Sequence, residues 1–130
     1  SVAPLKEKYR ISDRYGYRTH PISGERQFHA GLDMAAVYAA TVQAAASGTV
    51  TFAGETPGYG KTVVVTHRFG FQTRYAHLTL IYTRKGAKVE KGDVIGFVGS
   101  TGISTGNHLH YEVIKNQKRI NPLNFIYGTK

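Results

Sequence analysis

Hydrophobic and polar residues alternate most cleanly in "HLHYEV". On an extended chain Leu109, Tyr111 and Val113 take one face, and His108, His110 and Glu112 the other. The same period of two runs through "SGTVTFAG" around Val50 and Phe52, and the runs "KTVVVTH" and "DVIGFVG" read as further strands. "HRFGFQ" predicts a hairpin turn feeding a strand over "FQTRYAHL". Fifteen glycines and four prolines punctuate these runs, and the loop "STGISTGN" is too rich in Gly, Ser and Thr to be regular. Helix is scarce. "LDMAAVYAATVQAAAS" lacks a 3.6-residue stripe, and Val37, Tyr38, Thr41 and Val42 favour extended backbone, so at most a turn or two of helix is expected there. "NPLNFIYG" predicts a terminal turn with Pro122 at an early position. The pattern is that of a single mainly β domain over residues 13–130, with antiparallel sheets and little helix. Residues 1–12 are expected to be an arm packed on the domain or a linker remnant.

"FHAGLDMAA" is the second stretch in which polar positions stand out. Gly31 argues against a helix. Read as one strand, His29, Gly31 and Asp33 share a face, and Ala30, Leu32 and Met34 form the apolar one. Gly31 then leaves space between a histidine and a carboxylate where an ion could sit. His108 and His110 are two residues apart, which along a strand is roughly 6.5–7 Å. That spacing suits one metal ligand and one neighbour acting on the same small site. Three imidazole or carboxylate ligands plus a water are the arrangement of a catalytic zinc, and the candidates are His29, Asp33 and one of His108 or His110. The retained positive charge of such a site would lower the pKa of bound water and polarise a carbonyl.

Composition narrows the field. The chain of 130 residues has no Cys, which excludes disulfides and thiolate metal clusters. No apolar run approaches the ~20 residues of a membrane helix, and "SVAPLKEKYR" lacks the apolar region of a signal peptide, so the chain reads as a mature form or an excised piece. Seventeen Lys and Arg against eight Asp and Glu give a net charge of +9, which draws the chain towards polyanions. The charge is spread over "KEKYR", "RKGAKVEKG" and "KNQKR" rather than massed, and no nucleic-acid-binding motif accompanies the tyrosines. No nucleic-acid partner is expected.

From about Asp13 to Phe125 the sequence resembles the lysostaphin-type, or LytM-type, zinc metallopeptidases, which cut peptide cross-links in bacterial cell walls. The resemblance is carried by "RYGYRTHPISGERQFHAGLDMAA", "AAASGTVTFAG", "GYGKTVVVTH", "TRYAHL", "VEKGDVIGFVGSTGISTGNHLHYEV" and "INPLNF". It implies antiparallel sheets forming a groove, related to barrel-sandwich folds, and one Zn2+ per chain. His29, Asp33 and His110 match the zinc ligands; His108 and His77 match the two catalytic histidines that do not bind metal. Arg18, His20 and Asn107 become candidates for substrate binding, His67 is read as structural or surface, and Glu112 as either a hydrogen-bond partner of a ligand or a plain surface carboxylate. The implied partners are peptidoglycan peptides and, by charge, anionic cell-wall polymers. The implied location is the bacterial envelope, periplasmic or secreted.

The likeness has departures. Asn107 stands where the family often has Pro, and "VYAATV" where it often has a turn of the type P-x-G-T-P-V. Both bear on loop shape and substrate preference rather than on ligands. Three other readings compete. A non-catalytic LytM-like module would typically lack some of the five site residues. A carrier domain is suggested by "VEKGDVIGFVG", but no lysine sits beside the only methionine, Met34. The third is the nucleic-acid binder already set aside.

Overall fold

Each alternating stretch has one apolar face to bury, and the chain meets that demand by pairing them side by side. The structure, a computed structural model, describes residues 1–19, 21–104 and 106–127. The first strands are β1 (Arg10–Asp13), β2 (Gly16–Thr19), β3 (Arg26–His29), β4 (Leu32–Ala35), β5 (Thr41–Gln43) and β6 (Gly48–Thr56). They are followed by β7 (Gly60–Thr66), β8 (Phe71–Ile81), β9 (Lys88–Val89), β10 (Val94–Val98), β11 (His108–Lys115) and β12 (Lys118–Ile120), and by one short helix, α1 (Pro122–Tyr127). Among the described residues, ten strands make one antiparallel sheet whose main path runs β1-β4-β11-β8-β7-β6-β9, with β10 joining β5 to β8 and β12 on β11; β2 and β3 pair only with each other. The fold is mainly β, as the alternation predicts, and the path does not close into a barrel. Among the described residues no helix is long and apolar enough to cross a membrane.

The core lies under the sheet face opposite the histidines. Leu109, Tyr111 and Val113 of β11 are fully buried there with Leu32, Met34, Val63, Val65, Tyr75 and Leu78. Each aliphatic side chain among them contributes about 1.5–3 kcal/mol by leaving water. At the N-terminus Leu5 is buried and bridges Val42, while the Val2 N–H donates to Ala45 O at 2.9 Å.

One expectation is narrowed and one needs correction. "LDMAAVYAATVQAAAS" forms no helix: Ala39 takes a left-handed φ of 67° in a turn, and Thr41–Gln43 pair with β10. Its β-branched residues outweigh the alanines because a ladder partner is available. His29 and Asp33 do not lie on one strand either. β3 ends at His29, the chain bends at Gly31, and β4 starts at Leu32, so the two residues belong to different sheets. The space at Gly31 is taken by protein rather than left for an ion. A Cβ built there would lie 2.7 Å from His110 Cε1 and 2.8 Å from Tyr111 O.

Candidate active site

Three donors converge where β3, β4 and β11 meet. Asp33 faces His110 across the β4–β11 ladder, in direct register. His110 Nδ1 lies 2.7 Å from Asp33 Oδ1, and His29 Nε2 lies 3.4 Å from Asp33 Oδ2. One ligand atom from each of the three fits within 4.8 Å of the others. The outer nitrogens are already engaged. His29 Nδ1–H donates to Arg14 O at 2.9 Å, and His110 Nε2–H donates to Glu112 Oε2 at 2.9 Å. Each hydrogen bond fixes a tautomer that turns the ring's lone pair inward, the preparation seen in metal-binding histidines. Two imidazoles and one carboxylate, with no thiolate, are the donor set of a catalytic rather than a structural zinc site. The residues present therefore fit zinc.

Charge in this cluster is tightly coupled. Burial opposes ionisation of Asp33, but hydrogen bonds from His110 and His29 outweigh it and hold its carboxyl well below the usual range. Burial likewise disfavours a charged His110, yet Asp33 and Glu112 lift its pKa to about 9. Glu112 shows the same competition. Burial raises it, while hydrogen bonds from His110 and Tyr59 dominate and push it down to about 2. Without metal, His110 donates Nδ1–H to Asp33 and Nε2–H to Glu112, and an ion bound at Nδ1 must displace the Nδ1 proton.

Two further histidines face the same spot. His108 Nδ1 is 3.0 Å from Gly106 O, and its Nε2 lies 3.8 Å from Asp33 Oδ1. The His77 ring centroid lies 4.9 Å from that of His108 and 6.1 Å from that of His110. His77 Nδ1–H donates to Thr101 O at 2.6 Å, leaving Nε2 as the open nitrogen. Burial lowers its pKa, so the ring is neutral near pH 7. His77 is aimed by a distortion of β8: opposite it the β7–β8 register slips between Lys61 and Val63, and its φ is 63°, left-handed for a residue with a side chain.

The remaining candidates divide. Arg18 is ion-paired to Asp13, whose carboxylate lies 4.0 Å from His29 Nδ1, so it borders the site through an intermediary. Asn107 is exposed just ahead of β11. His20 lies outside the described residues. His67 is partly buried between Ser47 O at 2.8 Å and Thr73 Oγ1 at 2.7 Å, a structural setting. Glu112 is not a surface carboxylate. It is fully buried and receives Tyr59 OH at 2.7 Å, Arg119 Nε at 3.1 Å and Arg74 Nη1 at 3.4 Å besides His110. Tyr59, Arg74 and Arg119 escaped the sequence reading because the β6–β7 turn delivers the first and neighbouring strands the other two; only the polar alternation of β11 pointed towards Glu112.

This geometry has relatives. The DD-carboxypeptidase/endopeptidase Mpg of Neisseria meningitidis serogroup B is 48% identical over 120 residues, covering 92% of this chain and 28% of that protein. The chain thus spans under a third of the length of that curated relative. A zinc-containing peptidase from Vibrio cholerae superposes with a TM-score of 0.82 at 34% identity, covering 91% of this chain and 37% of the other. The catalytic domain of lysostaphin from Staphylococcus simulans gives 0.81 at 30% identity, covering 91% and 92%. A family model described as Peptidase family M23 matches residues 27–122, and with that match the chain belongs to peptidase family M23.

Proposed function

We propose that this domain is a zinc-dependent endopeptidase that hydrolyses peptide cross-links or stem peptides of bacterial peptidoglycan in the cell envelope, with one zinc ion per chain. The observation carrying this reading is the convergence of His29, Asp33 and His110 with two more histidines whose Nδ1 atoms are tied to backbone carbonyls, which turns their Nε2 atoms towards the cluster. The names of Mpg, a DD-carboxypeptidase/endopeptidase, and of the zinc-containing Vibrio peptidase support it.

His29, Asp33 and His110 would hold the ion. When bound, zinc supplies Lewis acidity for the scissile carbonyl and acidifies a water. His77, neutral and fixed with its proton on Nδ1, takes the water's proton at Nε2. His108, with Nδ1 tied to Gly106 O, stabilises the developing negative charge from Nε2 when that nitrogen carries a proton from solvent, and the proton accepted by His77 passes to the leaving amine. The net charge of +9 favours retention on anionic wall polymers, an attraction that weakens as salt shortens the Debye length.

The test is digestion of sacculi of defined chemistry by zinc-loaded protein, with released ends identified by mass spectrometry. Cleaved cross-links that vanish with chelator and return with zinc are expected. Intact sacculi beside a full complement of zinc would refute catalysis and leave the non-catalytic wall-binding or amidase-activating module.

A further inference from the structure

We infer that Arg74 and Arg119 form a subsite for a carboxylate beside the metal-facing histidines, so that the preferred substrate is a peptide with a free carboxylate near the cut bond. This rests on the peptidase reading above and narrows its substrate.

Arg74 sits opposite Glu112 in the β8–β11 register, and Arg119 reaches the same carboxylate from β12. Both guanidiniums bond to Oε1, while Tyr59 and His110 occupy Oε2. Glu112 therefore has all its acceptor sites filled. Two guanidiniums share one carboxylate, and among the described residues neither has a second acidic partner within 4.0 Å. One positive charge is left over. A single arginine would have balanced Glu112, so neutralising that residue does not explain the pair.

The surplus charge is reachable. The Arg74 and Arg119 side chains are 26% and 38% exposed, while the Glu112 side chain beneath them is 1% exposed. Arg74 uses Nη1 and Arg119 uses Nε on Glu112, leaving further N–H groups of each planar fork. The pair is continuous with the metal ligands: Arg74 lies 4.9 Å above the Tyr59 ring, and Tyr59 packs 5.6 Å from His110. Glu112 follows His110 by two residues on β11, roughly 6.5–7 Å along the strand. An extended peptide covers that distance in about two residues. A carboxylate about two backbone positions from the scissile carbonyl, or ending an acidic side chain there, would meet the guanidiniums. Arginine is the side chain suited to it, through paired N–H donors.

The experiment titrates the zinc-loaded chain with a cross-linked dimer of peptidoglycan stem peptides in two forms, carboxylates free and carboxylates amidated, and follows hydrolysis of both. Wild type should bind the free acid about tenfold tighter at low salt, the scale of a charged hydrogen bond. The preference should shrink in Arg119→Gln and vanish in the Arg74→Gln, Arg119→Gln double variant. Arg119→Lys, which keeps charge without the fork, should retain part of it. Equal affinity for both forms in wild type, or a preference indifferent to all three variants, overturns the subsite. Hydrolysis of both forms without acid preference discards the subsite and leaves the peptidase reading standing. Acid preference that tracks the arginines without any hydrolysis does the reverse.

Discussion

Replacing His77 by glycine and, separately, by alanine separates the role of the ring from the strain of its backbone. Both variants lose the same imidazole and its hydrogen bond to Thr101 O. Both keep the backbone bonds of residue 77, from its N–H to Tyr59 O at 2.9 Å and from Gly99 N–H to its carbonyl at 3.0 Å. They differ in whether a Cβ must be held at a φ of 63°. That conformation costs an L-residue roughly 1–2 kcal/mol. Glycine escapes the cost but loses about 0.5–1 kcal/mol more chain entropy on folding. The glycine variant should therefore match the alanine variant or exceed it by up to about 1.5 kcal/mol, whereas at an ordinary strand position glycine would trail by about 0.5–1 kcal/mol. Urea unfolding of both zinc-loaded variants reads the difference as a shift in midpoint at constant slope. Both should retain zinc and lose about 10²–10⁴-fold in turnover. A glycine variant that unfolds earlier than the alanine variant would show that residue 77 is not strained. Full turnover by either would remove His77 from catalysis.

Other perturbations follow from the same geometry. Gly31→Ala places a methyl 2.7 Å from His110 Cε1, so the ring must shift and zinc content should fall while far-UV circular dichroism stays β-like; unchanged zinc affinity would contradict the close packing. Glu112→Gln keeps the size but loses the charge that His110 donates to, and zinc affinity measured by competition with a chelator should drop about 10–100-fold; no change would mean that the hydrogen bond does not set the ring. The pKa of His67 is lowered by burial, so the unfolded chain binds a proton there below about pH 6.5 that the folded chain refuses. Stability should thus fall as pH drops from 7 to 5, and less steeply in His67→Gln; parallel slopes would count against this.

The sequence made part of this legible and hid the rest for identifiable reasons. Strict alternation of Leu109, Tyr111 and Val113 with His108, His110 and Glu112 shows which face of β11 is core, because side chains on a strand repeat every two residues. The same rule misleads across "FHAGLDMAA", since it assumes an unbroken strand and Gly31 marks a bend. His77 is invisible to periodicity, as a one-residue slip against β7 sets its direction; resemblance alone nominated it. Arg74 and Arg119 meet at Glu112 only through the ladders from β11 to β8 and β12, a long-range pairing that no local pattern encodes.

Among the described residues β2 and β3 share no ladder with the larger sheet, yet β3 ends in His29. An ion gripped by His29 on one side and by Asp33 and His110 on the other would act as a clasp between two otherwise independently hydrogen-bonded pieces. Loading the metal then also closes the architecture: the ribbon's backbone amides should exchange with solvent faster after chelation, and the first turn of unfolding should begin there.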